Sequence, residues 1–180
     1  MSRSVYLTRT GLHGGTSYSG DDNTTHTAQQ TPLRFHIGPA RSSRRRHIFD
    51  EGDDEVQIWS CRFSADGQEI VAGGSQNIFV YDLQANQQTV QIPAHDWDIN
   101  SCCWADTASG NVLISGSDDT FVKVWDRRSL GTAAKPSGVL IGHVEGITYV
   151  APKGDGRYVI SNGKDQSLRK CAVRSNVMSR

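Results

Sequence analysis

Apolar positions along this chain recur with a period of two. Val112 to Ser115 and Phe121 to Trp125 form two short runs flanking a Gly-Ser-Asp-Asp turn, and Phe121, Lys123 and Trp125 alternate with Val122 and Val124. That is the period of a strand and not of a helix. Similar runs lie on either side. Upstream, Ile58, Cys61 and Phe63 suggest a strand, Ser64-Ala65-Asp66-Gly67 a hairpin turn, Ile70 to Gly73 a second strand and Ile78 to Asp82 a third. Ile99, Cys102 and Trp104 begin the middle set, and Gly154-Asp155-Gly156 followed by Tyr158 to Ser161 marks a third. Thr89 to Ile92 and Gly138 to Ile141 read as outer strands closing the first two sets. Residues 1 to about 50, rich in Ser, Thr, Gly, Asp, Asn and Gln, show neither period and are predicted to be disordered or loosely attached.

A longer period overlies the short one. His95 is followed by His143 after 48 residues, Ser115 by Ser161 and Asp119 by Asp165 after 46, and Asp82 precedes Asp126 by 44. In the middle set the imidazole of His95, the hydroxyl of Ser115, the carboxylate of Asp119 and the indole of Trp125 can join in one hydrogen-bonded network. It would pin the loop before the first strand to the second and third strands, and it helps only if every member finds a partner. The third set keeps His143, Ser161 and Asp165 but has Cys171-Ala172 where the middle one has Trp125-Asp126. Losing the indole there is expected to cost about 2–5 kcal/mol, as large-to-small core changes do. The first set frays further: Asp54 stands where a His is expected, Tyr81 replaces Trp, and the turn after Gly73-Gly74 is about two residues short for the Asp.

These residues resemble the WD-repeat proteins, with Ser115-Gly116-Ser117, Asp119 and Trp125-Asp126 at that family's marked positions and spacings close to its repeat of roughly 40 to 45 residues. The resemblance implies an all-β chain, a partial β-propeller of about three WD blades with a disordered N-terminal tail. The expected divisions are a tail over 1–53, repeats over 54–83, 92–128 and 140–174, and a C-terminal tail over 175–180. His95, Ser115, Asp119 and Trp125 are then a structural tetrad, and His143, Ser161, Asp165 and Cys171 a degenerate one. A propeller protects its sheet edges by closing about four to eight blades into a ring. Three leave open faces, so the chain is expected to be a fragment, a truncated isoform or an incomplete gene model, with completion by self-association as the alternative.

Charge and composition narrow the partners. With 19 basic and 19 acidic residues the formal net charge is zero, which gives no global field favouring nucleic acid or membrane. No segment is apolar enough for a membrane span, and the N-terminus lacks the apolar core of a signal peptide, so nucleus and/or cytoplasm is expected. Cys61, Cys102, Cys103 and Cys171 lie in strand-like runs without metal-ligand spacing and read as buried thiols; neither metal nor cofactor is expected. The basic run Arg41 to Arg46, followed by acidic Asp50, Glu51, Asp53, Asp54 and Glu55, is either a nuclear-import or phosphate-contacting patch or a solvated linker. Ser115, His95 and Asp119 have the residue types of a nucleophilic triad, but no nucleophile elbow or oxyanion-hole loop accompanies them. Ala72 to Ser75 lacks the lysine and helix of a phosphate-binding loop. The chain is read as a non-enzyme, a rigid interaction platform.

Trp125-Asp126-Arg127-Arg128 places an arginine two residues after the Trp-Asp pair. This motif, with Gln91 to Asn100, Ser117 to Arg128 and Gly146 to Asn162, resembles the DDB1- and CUL4-associated factor 11 and LEC14B-like family of cullin 4 RING ubiquitin ligase substrate receptors, over about residues 55 to 170. The resemblance implies adaptor binding through Trp125, Asp126, Arg128 and, at the matching place in the third repeat, Arg174. The adaptor would be the large subunit of damage-specific DNA-binding protein, and the protein substrates are unknown. A WD scaffold in signalling or RNA processing and a non-functional truncated fragment are the alternatives.

Overall fold

Short alternating runs joined by tight turns pair with their nearest neighbours in sequence, because little loop entropy opposes the closure. The computed structural model describes residues 5–8, 30–38, 56–106, 108–130 and 134–173. Within them the first sheet runs in order β3 (Ile58–Phe63), β4 (Glu69–Gly74), β5 (Asn77–Asp82) and β6 (Gln87–Pro93). The second comprises β7 (Ile99–Trp104), β8 (Val112–Ser117), β9 (Val122–Asp126) and β10 (Gly138–Leu140), and the third β11 (Ile147–Pro152), β12 (Tyr158–Gly163) and β13 (Leu168–Ala172). All pairings in these sheets are antiparallel, and each first strand is irregular at the same place, between Ile58 and Ser60, Ile99 and Ser101, and Ile147 and Tyr149. The chain is a partial β-propeller of three blades whose inner strands β3, β7 and β11 lie side by side.

Two apolar seams hold the blades together. Val71, Ile78, Val80 and Ile92 of the first sheet bury against Ile99, Cys102, Trp104, Leu113 and Trp125 of the second. The other side of the second sheet, with Cys103, Val112, Ile114, Val122 and Val124, buries against Ile147, Val150 and Val159 of the third. A repeated polar contact fixes the spacing: the Ser60 hydroxyl accepts from the Cys102 amide at 3.3 Å, and that of Ser101 from the Val150 amide at 3.1 Å. Gly73 and Gly116, cross-strand partners of those serines, leave hollows for Ile99 and Ile147 of the next sheet. The third sheet has Tyr149 and Asn162 at those two places. Arg62 of β3 reaches Tyr149 of β11 at 3.2 Å, so the inner strands curve about β7.

The far face of the third sheet is open among the described residues. Ile114 and Val122 are 1% and 2% exposed in the middle sheet, while their counterparts Ile160 and Leu168 are 43% and 72% exposed. The matching near face of the first sheet is partly covered, and by the stretch that sequence alone assigns to the tail. Leu33 is buried against Ile70 and Tyr81, and the Phe35 ring lies 5.6 Å from Phe79 and 5.5 Å from Tyr81. Gln88 exchanges two hydrogen bonds with the backbone of His36, each at 3.0 Å. Upstream, β1 (Val5–Thr8) pairs with β2 (Gln30–Leu33). The remainder of the expected tail, with the Arg41–Arg46 run and Asp54, and the 175–180 tail lie outside the described residues. The link between β4 and β5 is Ser75-Gln76, two residues shorter than Asp118-Asp119-Thr120-Phe121 between β8 and β9. Cys102 and Cys103 are buried, and Cys61 and Cys171 half-buried.

The hollow at Gly116 makes a direct prediction. A Cβ built there would lie 2.5 Å from Ile147 Cγ2 and 2.9 Å from Val150 Cγ1. Gly116→Ala is therefore expected to lose about 1–3 kcal/mol by overpacking. Asn162→Ala, at the equivalent exposed place, should stay within about 0.5 kcal/mol. Urea unfolding midpoints of the two variants check both.

Candidate functional site

Tight pairing of β8 with β9 sets Ser115 opposite Lys123 and Leu113 opposite Trp125, and the Asp118–Thr120 turn places Asp119 over the His95 loop. The structure brings the four groups of the middle repeat together. His95 Nδ1 lies 2.7 Å from Asp119 Oδ2, His95 Nε2 lies 2.7 Å from Ser115 Oγ, and Trp125 Nε1 donates to Ser115 Oγ at 2.9 Å. One proton arrangement satisfies every member: indole N–H to Ser115, Ser115 O–H to His95 Nε2, and His95 Nδ1–H to the Asp119 carboxylate. Asp119 also accepts from the Phe121 amide at 3.1 Å, and Lys123 Nζ stands 3.5 Å away while donating to the Ala94 carbonyl.

Electrostatics enforce that direction. Burial holds the His95 imidazole below its ordinary range, outweighing the pull of Asp119 toward the charged form. Asp119 is itself desolvated, yet His95, the Phe121 amide and Lys123 together keep its carboxyl below the usual value. Ser115 is fully buried and its oxygen already serves two partners, so no substrate carbonyl can reach it. The Asp-His-Ser order of a triad is present here, but its oxygen serves as the lock between loop and sheet.

In the third repeat His143 Nδ1 lies 3.0 Å from Asp165 and Nε2 2.9 Å from Ser161 Oγ. Cys171 is half-buried and makes no hydrogen bond to Ser161, so this lock lacks its indole donor. Hydrogen bonding from Ser167, and then from His143 and the Val144 amide, holds the Asp165 carboxyl well below the carboxylate range. In the first repeat Ala72 and Tyr81 stand at the Ser115 and Trp125 places, and the Phe35–Phe79–Tyr81 cluster fills the space with apolar surface.

At the opposite end of β9 the chain turns through a short 3-10 helix, Arg127–Ser129, capped by Asp126. The Asp126 carboxylate accepts from Arg128 Nε at 2.9 Å, from Arg128 Nη2 at 2.7 Å and from the Arg128 amide at 3.0 Å. These bonds, the side-chain ones first, lower the Asp126 carboxyl and hold a half-exposed guanidinium in one orientation. Trp125 is buried, so it anchors the strand. Arg174 lies outside the described residues. Arg127, which the spacing argument passed over, forms a two-pronged bond to Glu69 of the first sheet, at 2.7 and 2.9 Å, beneath the Trp104 ring. Only the sheet stacking reveals that partnership, because 58 residues separate the two.

A family model described as "WD40: WD domain, G-beta repeat" matches residues 44–82, 86–126 and 134–170. The chain belongs to the WD40 family. The LEC14B protein of Lithospermum erythrorhizon is 51% identical over 126 residues, which is 69% of this chain and 26% of that protein. A DDB1- and CUL4-associated factor 11 homolog of Caenorhabditis elegans is 39% identical over 128 residues, 69% of this chain and 22% of that one. This WD40 chain thus spans about a quarter of the length of the curated relatives it matches. Among solved structures, the RRP9 WD40 repeats share the fold with a TM-score of 0.59 at 16% identity, over 68% of this chain and 37% of that one.

Two expectations follow from the locks of the WD40 repeats. Ser115→Ala strips a partner from both His95 and Trp125 and should cost about 2–5 kcal/mol, whereas Ser161→Ala orphans only His143 and should cost about 1–3 kcal/mol; urea midpoints give both. The second concerns pH. A histidine whose folded pKa is depressed is neutral in the fold, so its contribution is complete above the unfolded value of about 6.5 and is lost as pH falls below it. The low-lying Asp119 and Asp165 add losses only as pH falls below about 4. Stability should therefore decline from pH 7 toward pH 5, and His95→Gln should flatten that part of the curve.

Proposed function

We propose that this WD40 chain is a non-catalytic scaffold forming part of a substrate receptor of a cullin 4 RING ubiquitin ligase, and that Arg128 contacts the ligase adaptor. The observation that carries the reading is Arg128 itself. It follows the Trp-Asp pair, stands at the rim of the middle blade and is oriented by a two-pronged bond to Asp126. A planar, permanently charged guanidinium held in that way loses little freedom on meeting carboxylates or carbonyls of a partner. Identities of 51% to LEC14B and 39–40% to the DDB1- and CUL4-associated factor 11 homologs support it.

In this reading the locks, the seams and the Arg127–Glu69 bond keep the rim rigid, and chemistry on the substrate is left to other ligase subunits. Nucleus and cytoplasm are the compartments proposed for it. Arg128→Ala should weaken capture of the adaptor by about tenfold or more, the loss typical of an interface hot spot. Asp126→Asn should weaken it less, by loosening the guanidinium. Co-precipitation from cell extract reads both. Capture unchanged by Arg128→Ala removes that residue from the interface, and a pull-down free of ligase subunits favours a scaffold unconnected with ubiquitin.

A further inference from the structure

The end of the sheets opposite Arg128 displays an indole that the fold does not use. Trp97, in the loop between β6 and β7, is 66% exposed, and only its backbone is engaged, its carbonyl accepting from the Ser117 hydroxyl at 3.1 Å. The next carbonyl, of Asp98, accepts from the Asp118 amide at 3.0 Å, so the loop is fastened to the turn after β8 and presents the ring on a firm support. Glu145 and half-buried Val56 occupy the equivalent places before β11 and β3, which shows that a blade does not require an indole there. The surface continues onto the third sheet, because the Asp118 carboxylate accepts from Asn100 and from Lys164, each at 2.7 Å. Beyond it stands Val144, also exposed.

Charge around Trp97 is mainly negative, the guanidinium of Arg169 on the third sheet lying farther out, against Gly142. Among the described residues the carboxylates of Asp96, Asp98 and Glu145 form no hydrogen bond or ion pair, although Asp96 acts electrostatically on His95. Both nearby lysines are committed: Lys123 to the Ala94 carbonyl and Asp119, Lys164 to Asp118. An exposed indole face attracts a cation, a carboxylate matches a guanidinium, and this sign repels a phosphate backbone.

We propose that this end is a docking surface for an extended, arginine-bearing segment of a partner protein, with a guanidinium over Trp97 and paired to Asp96 or Asp98. The surface is independent of the adaptor reading, since Arg128 lies at the far end of β9. The full chain titrated with a fluorescein-labelled peptide alternating arginine and alanine, read by anisotropy, tests it. The arginine peptide should bind, with an affinity that falls as salt rises. Trp97→Ala should weaken it about fivefold. Asp96→Asn with Asp98→Asn should weaken it and remove most of the salt dependence, while Arg128→Ala leaves it unchanged. Circular dichroism verifies that these surface variants are folded. No binding, equal binding of the glutamate counterpart, equal binding by Trp97→Ala, or loss with Arg128→Ala each overturns the proposal.

Discussion

A one-way relay of hydrogen bonds, from the Trp125 indole through Ser115 and His95 to Asp119, is the interaction on which the middle blade depends. It is buried, so each link is strong and each broken link leaves an orphaned polar group. It ties three pieces of chain together through side chains: the loop before β7, the middle of β8 and the turn before β9. Both ends of the blade follow from it. The loop it pins carries Trp97, and the indole that begins it sits just before Asp126 and Arg128.

The neighbouring repeats show what replaces the relay when a member is lost. The third repeat keeps the imidazole, hydroxyl and carboxylate but has a thiol for the indole, and its sheet is held on the near side by the Ile147, Val150 and Val159 seam. The first repeat abandons the relay there, with Ala72 and Tyr81 at those places and Tyr81 packed against the Phe35 ring. Apolar packing and a satisfied polar chain are interchangeable solutions at one position, since each leaves no buried group unpaired.

Much of the fold was legible because it is written in local periods. Alternation marked the strands, and the return of His, Ser and Asp at blade intervals grouped them into repeats. Features that depend on stacking were not legible. Leu33-Arg34-Phe35 is too short a run amid polar residues to announce that it covers a sheet face. Arg127 and Glu69 belong to different repeats, and no spacing rule joins them. An open face was expected of three blades, but that Ile160 and Leu168 are the residues standing on it depends on what lies beyond the sheet and is visible only in the geometry. The Trp-Asp-x-Arg motif marked Arg128, while the role of Asp126 in holding its guanidinium became visible only in the geometry.

The pairing of Tyr149 with Asn162 has a consequence for how a stack of this kind continues. Across the other two seams, a glycine hollow receives an isoleucine and a serine oxygen receives an amide, which sets a close and repeating pitch. In the third sheet a phenol and a carboxamide stand in those places, and the phenol meets Arg62 of the first sheet. The third sheet therefore offers neither socket nor latch, and the pitch that the first two junctions share is not encoded in it.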